Sequence, residues 1–496
     1  MSFSSESPAL NVKSQTFELN AIDVACSFAY IQMLYTFKSP DGNSSFMSTE
    51  LLKRSFYMAI EDFPIFAGRL HQVQTGKLEV VVDSDNLNVP KFTEVQSDLD
   101  FAEFEAANFN PALLPDGAVK PTAFFTGGFQ EGNIKLADIR IVQFKNGGGV
   151  VLSVNIAHVL VDGYGFNMFM HRWAEISKEL VSDCTATDFG VSNTVHSRSL
   201  MQKAVSTPQE PLLSVSQRMK NSDGYLSRLV AWVSPGIRGK ILEYIQASAD
   251  ISISCFHVSR ETLDQLCQSV KSTSATDQRI SDNDVLMAAI TIAYAQSILK
   301  HKSEHPDVGL ASWLKSTLLG SSSTNPMIFV STVAADIRHR IPNSNLETYS
   351  GNSAISMMML NPIELLQMPT SSEVLTQVAL GVRKSTNEIT SEYIAQAFHG
   401  ADAMNDSGYR LITYNVCVAE RMFVTNISRL TFYTTDFGWG VPQFVAPMNG
   451  TISKFALFYP AHPSKGGVYV HLIDSASILQ QMRNNSFWAE RFEFVY

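Results

Sequence analysis

The stretch Ile156-Ala157-His158-Val159-Leu160-Val161-Asp162-Gly163 decides how this chain is interpreted, because it places one imidazole between an apolar strand and a helix. Upstream, Ala137 to Phe144 and Val150 to Ile156 are β-rich runs joined by a glycine-rich segment, a pattern typical of a β-hairpin. Downstream, large apolar residues recur at helical spacing: Phe166, Phe169, Met170, Trp173, Ile176 and Leu180. The sequence therefore predicts that the strand brings His158 to an edge of a sheet, in a tight turn before the helix.

The residue types in this turn allow several interpretations. A neutral imidazole accepts protons near neutral pH, so His158 could act as a general base toward a bound hydroxyl or amine. It could equally be a core histidine with satisfied hydrogen bonds, and Asp162 could simply cap the following helix. A metal site formed with His171 or Glu175 is disfavoured, because the spacing matches no familiar zinc pattern.

Length and composition indicate a globular protein of about two domains. The chain has 496 residues, of which 45% are hydrophobic and 17% charged, and this length exceeds what one core usually organises. Residues 182–223 are rich in Ser, Thr, Gln and Asn with weak periodicity, which predicts an interdomain linker. We therefore expect an N-terminal domain over 1–181 and a C-terminal domain over 224–496.

Charge and patterning also bear on partners and location. A formal net charge of -10 without a Lys/Arg cluster disfavours nucleic acid and anionic membranes as partners. Met1 to Thr16 has no apolar core of a secretory signal, and the longest apolar stretch, Val285 to Leu299, is too short to span a bilayer. Five cysteines without CxxC spacing indicate reduced thiols. These features predict a cytoplasmic protein.

Helical and strand patterns alternate along the chain, which predicts an α/β fold. Ser281-Asp282-Asn283-Asp284 has the capping-box pattern before an apolar helix from Val285, and its hydrophobicity on all sides implies burial. Glycine and aromatic residues in Pro121 to Phe129 could face a cleft or close a sheet. Further strands are predicted at Lys77–Val82, Ile251–Val258, Met327–Ala335, Leu411–Val418, Phe432–Thr434, Phe455–Tyr459 and Gly467–Leu472.

A second motif, Asp436-Phe437-Gly438-Trp439-Gly440, lies far from the first. HxxxDG near the end of the first third and DFGWG near the C-terminus, in this order, resemble the BAHD family of acyl-CoA-dependent acyltransferases. Two further segments are similar to family patterns: Asp62-Phe63-Pro64 with Ala67-Gly68-Arg69-Leu70, and Asp336-Ile337-Arg338-His339-Arg340 followed by Tyr349-Ser350-Gly351-Asn352. The resemblance covers essentially the whole chain.

This resemblance implies a chloramphenicol-acetyltransferase-like fold of two similar α/β lobes, each with a mixed sheet and flanking helices. A solvent channel would run between the lobes with His158 midway along it. Acyl-CoA would be a co-substrate rather than a permanently bound cofactor, and the acceptor a small-molecule alcohol or amine of specialised metabolism. His158 would act as general base in a ternary complex of a monomeric enzyme, without a covalent intermediate.

The resemblance also suggests roles for other residues. Asp162 matches an aspartate that pairs with an arginine, for which Arg338 is the best match and Arg340 the reserve; a solvated loop is the alternative for both arginines. Gly163 would let the backbone turn beside the channel. Lys271 and Ser281 correspond loosely to positions that hold CoA, and an exposed, solvated lysine is the alternative. Structural roles that keep the lobes in register are expected for Asp436, Gly438, Trp439 and Gly440.

Two alternative functions remain at this point. The first is a stand-alone condensation-type enzyme that forms amides or esters. Condensation domains of peptide synthetases share the fold and carry HHxxxDG, but Ala157 stands where their first histidine would be. DFGWG also favours the BAHD family. The second alternative is a non-catalytic accessory or binding homologue, which the intact HxxxDG disfavours. The acceptor and the acyl group are not predictable from the sequence.

Overall fold

The computed structural model describes residues 10–26, 30–40, 42, 46–118, 134–190, 192–212, 251–274, 278–305, 328–406, 421–448 and 454–496. Two segments interpreted above, Pro121 to Phe129 and Leu411 to Val418, lie outside the described residues, as does 213–223 of the predicted linker.

The strands of the described residues follow one another along the whole chain. In order, they are β1 (Gln15–Glu18), β2 (Tyr30–Lys38), β3 (Arg69–Gln74), β4 (Lys77–Val82), β5 (Lys91–Ser97), β6 (Ala137–Phe144), β7 (Gly149–Ala157), β8 (Ser252–Val258), β9 (Ile328–Asp336), β10 (Ala354–Pro362), β11 (Arg421–Asn426), β12 (Phe444–Pro447), β13 (Phe455–Pro460), β14 (Val468–Asp474) and β15 (Glu493–Phe494).

Helices alternate with these strands. The α-helices are α1 (Ala21–Ala25), α2 (Thr49–Asp62), α3 (Phe101–Ala106), α4 (Gly163–Ser182), α5 (Ser199–Ala204), α6 (Arg260–Thr273), α7 (Asp282–Glu304), α8 (Ile363–Gln367), α9 (Ser372–Asn387), α10 (Ser391–Asp406), α11 (Ala476–Arg483) and α12 (Ser486–Ala489). Short 3-10 helices occur at Pro64–Ala67, Pro111–Leu113, Lys145–Gly147, Leu346–Thr348 and Phe432–Thr434.

The chain divides into two compact units that are not continuous in sequence. The first comprises Met1–Lys203, Asn343–Asn352 and Leu430–Met448. The second comprises Ala204–Pro342, Ser353–Arg429 and Asn449–Tyr496. Each unit contains sheets and helices, so the predicted α/β class is confirmed.

The first unit contains a mixed five-stranded sheet in the order β12-β2-β7-β6-β5 and a three-stranded sheet in the order β1-β4-β3. The predicted hairpin is confirmed, since β6 and β7 pair antiparallel. Strand β7 is an interior strand, since it pairs with β2 on one side and β6 on the other, and all of its residues are buried. His158 lies, as predicted, directly after the last residue of β7 and before the helix, at the carboxyl end of an interior strand.

The helix predicted after Gly163 is confirmed as α4, whose apolar stripe packs on α2. Trp173 of α4 is fully buried, and its Nε1 donates to the Leu52 carbonyl at 3.1 Å and to Ser55 Oγ at 3.0 Å. The Trp173 ring also meets Phe56 edge to face at 4.9 Å between centroids. These contacts fix the helix that begins directly after the HxxxDG turn.

The second unit contains a mixed seven-stranded sheet in the order β10-β9-β11-β13-β14-β8-β15. The capping box predicted at Ser281 is present, and α7 is buried on nearly every side, as expected from its hydrophobicity. None of the helices in the described part of the chain is long and apolar enough to cross a membrane.

Two expectations differ from the structure. Phe432–Thr434 was expected to be a strand and is a 3-10 helix, because the Thr434 and Thr435 amides donate to the Thr431 and Phe432 carbonyls. Asp436 to Gly440, expected in the C-terminal domain, belongs to the first unit, where the following β12 pairs with β2.

Candidate active site

The turn between β7 and α4 is short and held by local hydrogen bonds. Strand β7 ends at Ala157, whose carbonyl accepts from the Leu160 amide at 3.0 Å. Helix α4 begins at Gly163, and the buried Asp162 caps it because its Oδ1 accepts from the Gly165 amide at 3.0 Å. The cap interpretation of Asp162 is thus confirmed as one of its contacts.

His158 is half-buried at the start of this turn. Its backbone carbonyl accepts a hydrogen bond from Asn352 Nδ2 at 2.8 Å. Its ring Nδ1 is buried and has no hydrogen-bond partner among the described residues. The peptide of His158 is therefore fixed, whereas none of the described residues satisfies the buried ring nitrogen. This arrangement does not match the core histidine with satisfied hydrogen bonds considered above.

A buried ion pair lies against the backbone of the turn. Asp23 of α1 and Arg198 have side chains that are 0% and 1% exposed, and Arg198 Nε lies 3.7 Å from Asp23 Oδ2. The Asp23 carboxyl also accepts from the Asn352 amide at 3.1 Å, from Asn352 Nδ2 at 2.9 Å and from the Asn20 amide at 3.1 Å. Burial raises the pKa of the Asp23 carboxyl, and Arg198 and Asn352 oppose that rise. These N–H donors suit an ionised carboxylate. Arg198 also donates to the Leu160 carbonyl.

Segment Tyr349 to Asn352 packs closely against this network. Asn20 Nδ2 donates to the Tyr349 hydroxyl at 2.8 Å, and the Arg198 guanidinium carbon lies 5.6 Å from the centroid of that ring. A Cβ on Gly351 would collide with the Arg198 guanidinium, so this position needs glycine for space. The family-like Tyr-Ser-Gly-Asn segment is thus part of the support of the HxxxDG turn.

Gly165 is the glycine of the HxxxDG region that the packing requires. A Cβ there would collide with the Ser350 carbonyl. Gly163, predicted to permit the tight turn, is the first residue of α4 and does not have a positive φ.

Arg338 lies in the second unit and is buried rather than solvated. Its backbone amide and Nη1 donate to Asp336 Oδ1 at 3.0 and 3.1 Å, and Nη1 also donates to Ser353 Oγ. Arg340 is half-buried and donates to the Thr386 carbonyl at 3.2 Å. Burial, and then the nearby Arg383, lowers the pKa of Arg340. The solvated-loop alternative is therefore wrong for Arg338, while its pairing with Asp162 stays a prediction.

Residues 6–234 and 315–485 match the model of the Transferase family. The chain belongs to this family, the BAHD acyl-CoA-dependent acyltransferases.

Relatives and solved structures agree with this membership. The chain is 21% identical to shikimate O-hydroxycinnamoyltransferase of Nicotiana tabacum, over 92% of each chain. It is 21% identical to anthranilate N-benzoyltransferase protein 2 of Dianthus caryophyllus, over 89% of this chain and 88% of the relative. The fold is similar to that of F. graminearum TRI101 complexed with coenzyme A and T-2 mycotoxin, with a TM-score of 0.72, 14% identity, and coverage of 97% of this chain and 100% of that one.

For this BAHD protein, the two expected CoA contacts lie in the second unit. Lys271 is exposed in the last turn of α6. The Ser281 hydroxyl donates to Asp284 Oδ2 at 2.8 Å and faces Arg383 Nη2 at 2.9 Å, so the helix cap orients it. A contact of either residue with CoA stays a prediction. No group of three or more metal-binding side chains occurs among the described residues.

The DFGWG motif folds onto α4 within the first unit. Asp436 Oδ1 accepts from the amides of Gly438 and Gly440, both at 2.9 Å, and its Oδ2 accepts from Lys178 Nζ at 2.8 Å. Burial would raise the pKa of Asp436, but these hydrogen bonds outweigh it and hold the pKa below its ordinary value. The Phe437 ring meets Trp173 edge to face at 5.0 Å.

Trp439 of the same motif contacts Phe46, with 6.5 Å between the ring centroids. Together with the Asp436 contacts, this indicates a structural role for the motif in holding α4. A role in keeping the two lobes in register stays a prediction.

The sequence interpretation missed Asp23, Arg198 and Gly165. The Asn20-to-Asp23 spacing is a capping box, which was a readable local signal. Arg198 lies in a polar stretch that had been interpreted as linker, and nothing in its neighbours indicates a buried ion pair.

The two glycines of DFGWG provide a matched stability test. Both have φ of +101°, so an alanine at either position is strained, by about 1 to 3 kcal/mol. A Cβ on Gly438 would also lie 2.8 Å from Val181 Cβ, whereas nothing lies within 4 Å of one on Gly440. We expect Gly438→Ala to lower the free energy of unfolding by about 1 to 3 kcal/mol more than Gly440→Ala. Urea midpoints measure this, and equal losses would contradict the packing described here.

His196 predicts a dependence of stability on pH. Its Nε2 lies 2.6 Å from the Asp62 carbonyl and must donate to it, and in the neutral ring Nδ1 then accepts from Ser350 Oγ at 2.8 Å. Burial and then Arg198 lower its pKa to about 4. The unfolded chain binds this proton near pH 6.5, so stability falls by up to about 3 kcal/mol as the pH drops from about 6.5 toward 4.

His196→Gln should remove this part of the pH dependence. Burial lowers the pKa of His471 to about 3. This histidine is present in both proteins and serves as an internal control. Urea midpoints at pH 7 and pH 5 would be compared. The same loss of stability in both proteins would show that His196 is not the group responsible.

Proposed function

We propose that this BAHD acyltransferase transfers an acyl group from acyl-CoA to a hydroxyl or amine of a small-molecule acceptor, with His158 as general base in a ternary complex. The observation that carries the proposal is the state of His158. Its carbonyl is held by Asn352, while its buried Nδ1 has no partner among the described residues. A histidine whose peptide is held, and whose buried Nδ1 no described residue engages, suits proton transfer to and from a substrate.

The relatives support both kinds of acceptor. One is a shikimate O-hydroxycinnamoyltransferase and another an anthranilate N-benzoyltransferase, so oxygen and nitrogen acceptors both occur among proteins of similar length and about one-fifth identity. Coenzyme A is present in a solved structure with this fold. We propose acyl-CoA as the co-substrate here, without a permanently bound cofactor.

The proposed reaction needs one proton acceptor that later becomes a donor. The oxygen or nitrogen of the alcohol or amine substrate attacks the thioester carbonyl, and the neutral His158 ring removes the proton from that atom. Collapse of the tetrahedral intermediate breaks the carbon–sulfur bond, and the imidazolium returns the proton to the departing thiolate. The chain's own contribution is to hold the turn, so that the ring meets both substrates without rearrangement.

A panel assay tests the activity directly. The purified protein is incubated with several acyl-CoAs and candidate alcohols and amines, and free thiol release and product mass are followed. Acceptor-dependent thiol release supports the proposal. Ligand binding without any turnover across the panel would instead favour a non-catalytic homologue.

His158→Ala should fold normally and lose most turnover, because no other group of the HxxxDG turn is expected to exchange protons near neutral pH. Loss of a general base typically costs about 100- to 10,000-fold in rate. The matched control is His171→Ala: His171 lies on α4, and its Nε2 is 2.9 Å from Thr431 Oγ1. Turnover of both variants is measured at saturating substrates. Near-wild-type turnover of His158→Ala would refute the mechanism.

A double-mutant cycle tests the proposed pairing of Asp162 with Arg338. In Asp162→Asn the side-chain oxygen can still accept from the Gly165 amide. A large loss of stability or turnover in this variant therefore reports the missing charge. If the two form a buried pair, removing one partner costs about 3 to 5 kcal/mol and removing both costs much less than the sum. We expect a coupling above about 1 kcal/mol between Asp162→Asn and Arg338→Ala, with reduced turnover in all variants. If the stability losses of the single variants, measured by denaturant midpoints, add up in the double variant, Arg338 is not the partner of Asp162. Arg340 is then the residue to test.

A further inference from the structure

The turn that carries His158 is supported through its backbone carbonyls by side chains distant in sequence. Asn352 Nδ2 donates to the His158 carbonyl at 2.8 Å, and Arg198 donates to the Leu160 carbonyl. Both donors are buried, with Asn352 1% and Arg198 2% exposed. A buried hydrogen bond to a carbonyl fixes the peptide plane, and thereby the direction in which the adjacent side chain leaves the backbone.

The Asn352 amide can have only one orientation. Its Nδ2 contacts two acceptors, the His158 carbonyl and Asp23 Oδ1 at 2.9 Å. A flipped amide would place its oxygen against both, so the nitrogen must lie there. The same Asp23 oxygen also accepts from the Asn352 backbone amide at 3.1 Å, which fixes this residue at a second point.

Asp23 is itself fixed. Its Oδ2 accepts from the Asn20 amide at 3.1 Å in the capping box of α1 and faces Arg198 Nε at 3.7 Å. A fully buried carboxylate with these partners is costly to move, because any displacement leaves a charge without hydrogen bonds in a medium of low polarity. Asn352 therefore connects a rigid ionic anchor to the peptide of the proposed general base.

We propose that Asn352 is a positioning residue for His158, a role that rests on the proposed function. Asn352 acts on the reaction only through His158, by holding its peptide at the angle that directs the ring toward the substrates. Misplacement of a reacting group by about 1 Å can cost on the order of 100-fold in rate. Asn352 should thus influence turnover far more than substrate affinity.

The matched control is Asn88, another buried asparagine of the first unit, 4% exposed. Its Nδ2 likewise donates to two carbonyl groups, those of Gly68 at 3.0 Å and Ile134 at 2.9 Å. These contacts do not involve the HxxxDG turn. Asn88→Ala therefore removes a comparable set of buried hydrogen bonds without affecting the support of His158.

The experiment measures kcat and KM of wild type, Asn352→Ala, Asn88→Ala, His158→Ala and the double variant His158→Ala/Asn352→Ala, each normalised to folded protein. Asn352→Ala should lower kcat by about 10- to 100-fold and change KM for acyl-CoA by less than about threefold. Asn88→Ala should lower the melting temperature but retain wild-type kcat. The double variant should be within about twofold of His158→Ala alone, because the two residues act as a unit.

The outcomes separate this proposal from the proposed function. Wild-type kcat in Asn352→Ala, or an equal loss caused by Asn352→Ala with and without His158, would overturn the positioning role while leaving His158 as the base. Full turnover in His158→Ala would overturn both. If Asn352→Ala does not fold, it is replaced by Asn352→Ser, which keeps one hydrogen-bond donor. The kcat of Asn352→Ser is then compared with and without His158→Ala in the same way.

Discussion

The buried ion pair of Asp23 and Arg198 is the interaction on which the candidate active site depends. A charge pair without access to water is stable only when its remaining hydrogen-bonding groups are satisfied. Asp23 meets this condition by accepting from the Asn20 amide and from Asn352. Arg198 meets it only in part: it donates to the Leu160 carbonyl, while its Nε and Nη1 make no hydrogen bond among the described residues. Three segments distant in sequence are thereby bound to the turn that carries His158. The turn is thus fixed through its backbone carbonyls, and these contacts do not involve the His158 ring.

Helix α4 connects the two motifs by which the family is identified. Its first turn is capped by Asp162 of HxxxDG, and its later turns receive DFGWG through Lys178, Ser177 and Val181. One motif therefore places the imidazole at the start of the helix, and the other holds the helix in the core. Residues far from the HxxxDG turn in sequence therefore support its geometry through the helix that follows it.

Sequence alone determined the features that depend on local spacing. The β6–β7 hairpin, the apolar stripe of α4 and the capping box at Ser281 were all predictable, because the backbone hydrogen bonds of hairpins, helices and caps join residues that are close along the chain. The two motifs and their order also identified the family, and with it the α/β fold and the acyl-CoA chemistry. His158 could be singled out because it stands in HxxxDG, between a β-rich run and a run with helical spacing.

Only the tertiary structure decided which distant residues support His158. Asp23 and Asn352 are 329 positions apart, and nothing in the spacing of either indicates that they pair. Such partners are set when the whole first unit closes around its core, where every buried charge must find the donors that the fold brings within reach. The structure also replaced the strand expected at Phe432–Thr434 by a 3-10 helix, in which the Thr434 and Thr435 amides donate to carbonyls three residues earlier. Local pattern therefore determined the elements, and long-range burial of charge determined how the turn that carries His158 is held.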